Sequence, residues 1–209
     1  MHKKQINIKA EKIEKKFGKT LLFRNIDFDL SKGDSFYITG PNGSGKSTLL
    51  QILAGIQKPS SGNVIYTADN SIIDSECYKD FFGFTGPQVN PYDMLTSIEN
   101  LRFTSADPAD ENLIIEYLEK FDLYRHRGKS VKFYSSGMKQ RLRLIHALIN
   151  NPQILMLDEP CSNLDSKGRD ILYRILDEIK KDIMIIIATN ESEDINLCSK
   201  GINLEQNFK

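Results

Sequence analysis

Gly40-Pro41-Asn42-Gly43-Ser44-Gly45-Lys46-Ser47 is a glycine-rich loop set between Asp34-Ser35-Phe36-Tyr37-Ile38-Thr39 and a run from Ser47 to Ile56. The first flank reads as a strand. In the second, Leu49, Leu50, Ile52, Leu53 and Ile56 fall at helical spacing. The loop fits G-x-x-x-x-G-K-[ST] in the strand–loop–helix setting that gives the pattern its meaning. Glycines let the backbone curl around phosphates so that successive N–H groups face one anion. The following helix adds its positive end. Lys46 supplies a point charge for the β- and γ-phosphates, and the Ser47 hydroxyl can complete a magnesium shell. Gly40 through Thr48 are therefore the candidate triphosphate-binding residues. A connecting turn with an incidental lysine is the alternative, and the motif does not choose among nucleotide-binding classes.

A second stretch completes the chemistry. Ile154-Leu155-Met156-Leu157-Asp158-Glu159-Pro160 reads as a buried parallel strand ending in two acids. Ligands of such sheets bind at the carboxyl ends of the strands. Alternation along the strand is expected to send Asp158 and Glu159 in different directions. Asp158 is then the metal residue, through a water, and Glu159 the general base that polarises water toward the γ-phosphate. A capping or turn role is the alternative for either acid taken alone.

Working outward, Ile6, Ile8 and Ala10, and then Ile26, Phe28 and Leu30, alternate with polar residues as antiparallel strands with one wet face do. Residues 58–62 have the composition of a turn, and Asn63-Val64-Ile65-Tyr66 reads as a strand. From Gln88 to Asn151 the character changes to helices over Ile98–Phe103, Glu111–Leu123 and Gly137–Ile149. Asn151-Pro152 closes that block, because proline cannot continue a helix. The helix Arg169–Lys181 between the apolar runs at Ile154 and Ile183 predicts a parallel crossover. The expected organisation is one domain: an α/β core from 1–87 and 152–209, interrupted by a helical subdomain at 88–151.

Composition bounds the partners. The 209 residues are 40% apolar, enough for a core, and 28 basic residues balance 28 acidic ones for a formal net charge of +0. No global field draws the chain to nucleic acid or anionic lipid. The apolar runs Ile154–Leu157 and Ile183–Ala188 are too short to span a bilayer, and the start carries no signal-peptide run. The expectation is a cytoplasmic chain. Cys77, Cys161 and Cys198 are scattered and odd in number, which suits free thiols. His2, His126 and His146 read as surface or packing residues, and Arg125, Arg127 and Lys129 as a solvated loop.

Taken together, these motifs resemble the ABC ATPase family over nearly the whole chain. Gly40–Thr48 corresponds to Walker A, Ile154–Pro160 to Walker B with its catalytic glutamate, and Ser162-Asn163-Leu164-Asp165 to the D-loop. Gln88, with Leu95–Leu101 after it, resembles the Q-loop, and Phe17-Gly18 sits where the family has an aromatic that stacks on adenine. Tyr134-Ser135-Ser136-Gly137-Met138 stands where the family has LSGGQ. The resemblance implies a P-loop NTPase (RecA-like) core with mixed sheet, an N-terminal antiparallel β portion and an inserted helical subdomain. It implies ATP and Mg2+ as cofactors, with Gln88 near the metal and the attacking water. It also implies that Ser135, Ser136 and Gly137 close over ATP held by a second ABC ATPase subunit, head to tail. Separate integral membrane transporter subunits would dock on the Gln88–Leu101 region through Pro91, Tyr92, Met94 and Leu95, holding the chain on the inner face of the cell membrane. The short length and compact ending resemble the small haem-exporter-type members.

Residues read without the family agree in part. Ser135 or Ser136 is a good N-cap for a helix whose Leu142, Ile145 and Leu148 share a face. Three departures from the family stand out. Ser136 replaces the first signature glycine, Met138 replaces a glutamine, and Asn190 stands in Ala188-Thr189-Asn190-Glu191 where the family has a histidine reaching the γ-phosphate. Asparagine donates a hydrogen bond but cannot become a cation. Losing one charge-assisted contact in the transition state costs about 2–3 kcal/mol, or about 30–100-fold in rate. The leading reading is a transporter ATPase subunit. A soluble ABC ATPase acting on DNA or ribosomes, or a slow regulatory cassette, is the alternative.

Overall fold

The N-terminal alternation forms an antiparallel sheet in the computed structural model, which describes residues 5–69, 71–73, 81–107 and 110–205. His2 and Cys77 lie outside the described residues. Strands β1 (Ile6–Phe17) and β2 (Thr20–Leu30) make a hairpin in which Phe17 pairs with Thr20 across a two-residue turn. Gly18 at φ 58° supplies the left-handed residue that such a turn favours. Strand β4 (Ser61–Ala68) pairs with the other edge of β1, and the short β5 (Ser71–Ile72) follows, giving the order β2-β1-β4-β5. Ile6, Ile8, Ala10, Ile26 and Leu30 are buried, so the alternating residues of both strands face one core.

A second, wholly parallel sheet carries the glycine-rich loop. Its order is β6-β7-β8-β3-β9, built from β3 (Ser35–Thr39), β6 (Phe82–Thr85), β7 (Ile154–Asp158), β8 (Met184–Ala188) and β9 (Lys200–Asn203). The mixed β content therefore divides into one antiparallel and one parallel sheet. Helix α5 (Ser166–Ile179) makes the expected parallel crossover from β7 to β8. Asp165 caps it by accepting from the Gly168 N–H at 2.8 Å.

The period-two geometry of β7 and β8 divides the interior. Ile154, Met156, Met184 and Ile186 join the antiparallel sheet and α1 (Lys46–Leu53) in one cluster. Leu155, Leu157, Ile185 and Ile187 point the other way, into a cluster with α5 and the helical subdomain. The helices between β6 and β7 are α2 (Ser97–Thr104), α3 (Glu111–Lys120) and α4 (Ser136–Leu148), at the three places where the sequence predicts helices. A short α6 (Ser192–Leu197) follows β8.

Several boundaries differ from expectation: α3 stops at Lys120, short of Leu123, and α5 runs from Ser166 to Ile179 where the sequence predicts Arg169–Lys181. Helix α1 ends at Leu53, Gly55 takes φ 65°, and Ile56 is 60% exposed instead of continuing the apolar face. A left-handed glycine stops a helix whatever apolar residue follows it. Among the described residues no helix is long and apolar enough to cross a membrane.

Candidate functional site

The phosphate loop leaves β3 with three glycines at positive φ: Gly40 (146°), Gly43 (84°) and Gly45 (99°). Gly45 is constrained twice, since a Cβ there would sit 2.6 Å from Leu22 Cδ2. Lys46 is 6% exposed, and its ammonium donates to the Gly40 carbonyl at 2.9 Å and the Pro41 carbonyl at 3.5 Å. The cation thus lies folded back along the loop. Ser44 is buried with an unpartnered hydroxyl, a polar atom enclosed by the loop itself.

At the carboxyl end of β7, Asp158 is 3% exposed, and the Ser47 hydroxyl donates to its Oδ1 at 3.0 Å. Burial pushes the Asp158 carboxyl above the usual range. The Ser47 hydrogen bond pulls it back, Glu159 adds to the rise, and Lys46 opposes it. Adjacent hard oxygens from a hydroxyl and one carboxylate suit Mg2+, which takes few protein ligands and completes its shell with phosphate oxygens and water. Glu159 is exposed and is not part of the strand. It takes φ 49°, and its N–H donates to the Ala188 carbonyl at 2.8 Å. The two acids therefore diverge because the chain turns at Glu159; strand alternation, the expected cause, has already ended.

Phe17, Leu22, Gly43, Lys46, Ser47 and Glu159 help line one cavity of about 400 Å3 that also takes in Asn42, Gly45 and Thr48. Phe17 is 52% exposed at the hairpin end, with Lys15 Nζ 5.1 Å from its ring centroid. Leu22 was not singled out from the sequence. Its role as a wall comes from the hairpin bringing β2 over Gly45, which no local pattern encodes. A larger open groove of about 740 Å3 over Lys12, Asp27 and Phe28 contains none of the predicted groups. Volume is a poorer guide here than the convergence of polar groups.

Two predicted residues approach this cavity from its edges. Asn190 accepts through Oδ1 from the Thr39 hydroxyl (3.3 Å) and the Gly40 N–H (3.4 Å), and its amide donates to Asn42 Oδ1 at 3.4 Å. It rests across the start of the phosphate loop. Gln88 accepts from Gln51 Nε2 at 3.3 Å, one helical turn along α1 from Ser47. Its hydrogen-bond partner is thus Gln51, and neither Ser47 nor Asp158.

The serine-rich segment forms the start of α4. Ser135 is the N-cap, accepting from the Met138 N–H at 3.2 Å, while Ser136 stays exposed. A Cβ on Gly137 would lie 2.9 Å from the Asn163 carbonyl, so its bare backbone lets that loop approach. Met138 packs on the subdomain core, a use that a polar side chain would not serve. Ser135, Ser136 and Gly137 are not among the residues lining the cavity of their own chain.

Helix α4 also links two loops. Arg143 donates to Asn90 at 2.6 Å and to Gln140 at 3.1 Å, and the buried Gln140 donates to the Pro160 carbonyl at 3.0 Å. Lys139 pairs with Asp93 at 2.6 Å. On the outer side, Tyr92 (55%) and Met94 (72%) are exposed as expected, but Pro91 is buried and Leu95 half-buried. Phe103 (69% exposed), which the sequence reading missed, packs edge-on against Tyr92 at 5.3 Å. The apolar face is therefore Tyr92, Met94 and Phe103. Leu101, the far end of the predicted docking stretch, is fully buried.

Comparisons with known proteins agree with this geometry. The ABC transporter family profile matches residues 23–162. The lantibiotic transport ATP-binding protein SrtF of Streptococcus pyogenes is 32% identical over 184 residues, covering 88% of this chain and 79% of SrtF. The linearmycin resistance ATP-binding protein LnrL of Bacillus subtilis is 30% identical over 190 residues, and the match spans 88% of this chain but only 60% of LnrL. A dimeric, post-hydrolysis structure of the ATP-binding cassette MJ0796, bound to ADP and Pi, superposes with a TM-score of 0.81 at 25% identity, covering 94% of this chain and 93% of that one. A glycine loop, an acid pair and a capped serine helix in the expected positions, together with these matches, make the chain a member of the ABC transporter family, as one of its ATP-binding cassettes.

Proposed function

We propose that this cassette binds MgATP between Phe17 and the phosphate loop, closes head to tail on a second cassette, and hydrolyses the nucleotide to drive separate membrane subunits. The observation that carries the reading is the hydrogen bond from Ser47, which lines the cavity, to the buried Asp158, with Glu159 lining the same cavity. When bound, Mg2+ would neutralise charge on the phosphate oxygens, held by Ser47 and, through water, by Asp158 and Gln88. Lys46 exchanges its carbonyl partners for β- and γ-phosphate oxygens. Glu159 orients and polarises the attacking water. Asn190, already across Gly40 and Asn42, faces the γ-phosphate and holds that water without a positive charge.

The exposed Ser136 and half-buried Gly137 suit contact with ATP held by the other cassette, since a helix N-terminus with an exposed hydroxyl and a residue without a side chain accommodates phosphate. A homodimer would then combine Asn190 of one chain with Ser135, Ser136 and Gly137 of the other at each site. Tyr92, Met94 and Phe103 form the face for a membrane subunit, which would hold the chain at the inner face of the cell membrane. Arg143 and Gln140 connect that face to the Glu159 turn.

The decisive experiment measures ATP binding and turnover for wild type and Glu159→Gln. We expect ATP affinity within about threefold and turnover lowered at least about 100-fold. Unchanged turnover would remove Glu159 as the base. Asn190→His tests the sensor: a rise of about tenfold or more is expected, and no rise would mean that this position does not limit hydrolysis.

A further inference from the structure

A buried polar cluster outside the cavity centres on Asp194, which is fully buried although it sits on a six-residue helix with exposed neighbours. Its carboxylate accepts from the Thr189 hydroxyl at 2.7 Å, the Tyr173 hydroxyl at 2.9 Å and the Cys161 thiol at 3.3 Å. Two of these donors adjoin predicted site residues, and Tyr173 comes from α5. Thr189 immediately precedes Asn190, and Cys161 lies two residues beyond Glu159.

The Thr189 side is clamped at several points. Its N–H donates to the Ile38 carbonyl at 3.0 Å, in the strand that leads into the phosphate loop. Its hydroxyl accepts from the Glu191 N–H at 3.0 Å while donating to Asp194. The residues on both sides of Asn190 are thereby fixed, and the hydroxyl has its proton committed to the carboxylate. Arg169 adds exposed pairs with Glu191 and Glu193 at 3.3 Å each, which contribute little by comparison. On the other side, the Glu159 N–H is bonded to the Ala188 carbonyl, one residue before Thr189.

We infer that Asp194 is a positioning residue for hydrolysis: its carboxylate sets the segment that aims Asn190 over the phosphate loop and ties it to the turn carrying Glu159. This rests on the reading of Asn190 as the residue that faces the γ-phosphate. A buried carboxylate persists only when its hydrogen bonds are made, and here two of the three donors, Thr189 and Cys161, belong to the segments next to Asn190 and Glu159, with Tyr173 of α5 as the third. Asp194→Asn keeps the shape but presents an amide N–H2 where one carboxylate oxygen accepts, so one donor is left facing another. Thr189→Val removes the same link from its other end.

The test is a double-mutant cycle on the whole chain, reading ATP affinity, steady-state turnover and thermal unfolding. Asp194→Asn and Thr189→Val should each lower kcat by about tenfold, with ATP affinity within about twofold. Either change combined with Asn190→Ala should be no slower than Asn190→Ala alone. Losses that multiply, or a fall confined to ATP affinity or melting temperature, would overturn the link. If Asp194→Asn does not fold, the Thr189→Val cycle decides by the same criterion. Absence of turnover in wild type would instead defeat the proposed function. Full-rate Asn190→Ala would defeat the sensor role, and the positioning role with it.

Discussion

Asp158 shows how a single residue can be costly to the resting fold and necessary to the site. Burial lifts its pKa above the ordinary carboxylate value of 3.8, so the charged form is disfavoured on folding. The sign follows from linkage: the folded state holds its proton to higher pH than the unfolded state. Stability is thus lost as pH rises from the unfolded pKa through the raised folded one. Asp158→Asn should therefore raise the melting temperature of the nucleotide-free chain, while abolishing the Mg2+-dependent part of ATP affinity. Calorimetry with and without Mg2+ measures both, and a destabilised mutant would contradict the argument. Gly45 makes the opposite case, because backbone and space agree there. Its φ of 99° and the 2.6 Å approach of Leu22 to a notional Cβ mean that Gly45→Ala should weaken ATP binding at least about tenfold by forcing the loop outward.

At the scale of elements, α2 is fastened at both ends. Thr96 and Glu99 form a capping box at its start. Asn100, 1% exposed, accepts from the Tyr92 N–H at 2.7 Å and donates to the carbonyls of Tyr92 (3.0 Å) and Thr96 (2.9 Å). One side chain therefore shapes the loop that carries the exposed apolar face. Asn100→Ala should cost about 2–3 kcal/mol by stranding these groups, read as a lower denaturation midpoint. The far end of α2 meets α4 where the Thr104 hydroxyl lies 2.9 Å from His146 Nδ1. Burial lowers the His146 pKa to about 4, against an ordinary value of 6.5. The unfolded state takes up the proton first, so stability is lost as pH falls from 6.5 toward 4. Thermal melts across that range should show a steeper acid decline for wild type than for His146→Gln. Parallel curves would show that the imidazole stays solvated.

For the whole molecule, the β7–β8 pair is the shared wall of two cores, one holding the antiparallel sheet and α1, the other the helical subdomain and α5. Asp158, Glu159 and the Asn190 segment all lie at the carboxyl ends of these strands, so both cores bear on the same candidate site. The serine helix belongs to the second core, and its free end lies apart from the chain's own cavity. The proposed closure on a second cassette is thus a property of the assembled pair. Glu159→Gln with MgATP should shift the chain to a dimer in sedimentation velocity, and wild type with ADP should stay monomeric. A dimer that forms equally without nucleotide would contradict ATP-driven closure.

Much of this was legible before folding. The spacing of Gly40, Gly45, Lys46 and Ser47, the apolar strand ending in Asp158, and the proline at Pro152 are local signals, since phosphate cradles, buried parallel strands and helix stops are set by neighbouring residues. Tertiary structure decided the rest. Glu159 turns on a left-handed backbone that no sequence pattern announces, Leu22 becomes a wall because a hairpin crosses Gly45, and Pro91 is buried while Phe103 is exposed. Asp194 is the clearest case. In sequence it is one more acid in a polar run after β8, and only the convergence of Thr189, Tyr173 and Cys161 from separate elements makes it a buried tie. Local periodicity specifies which face a residue takes, whereas contacts between distant segments depend on how the packed layers bring those faces together.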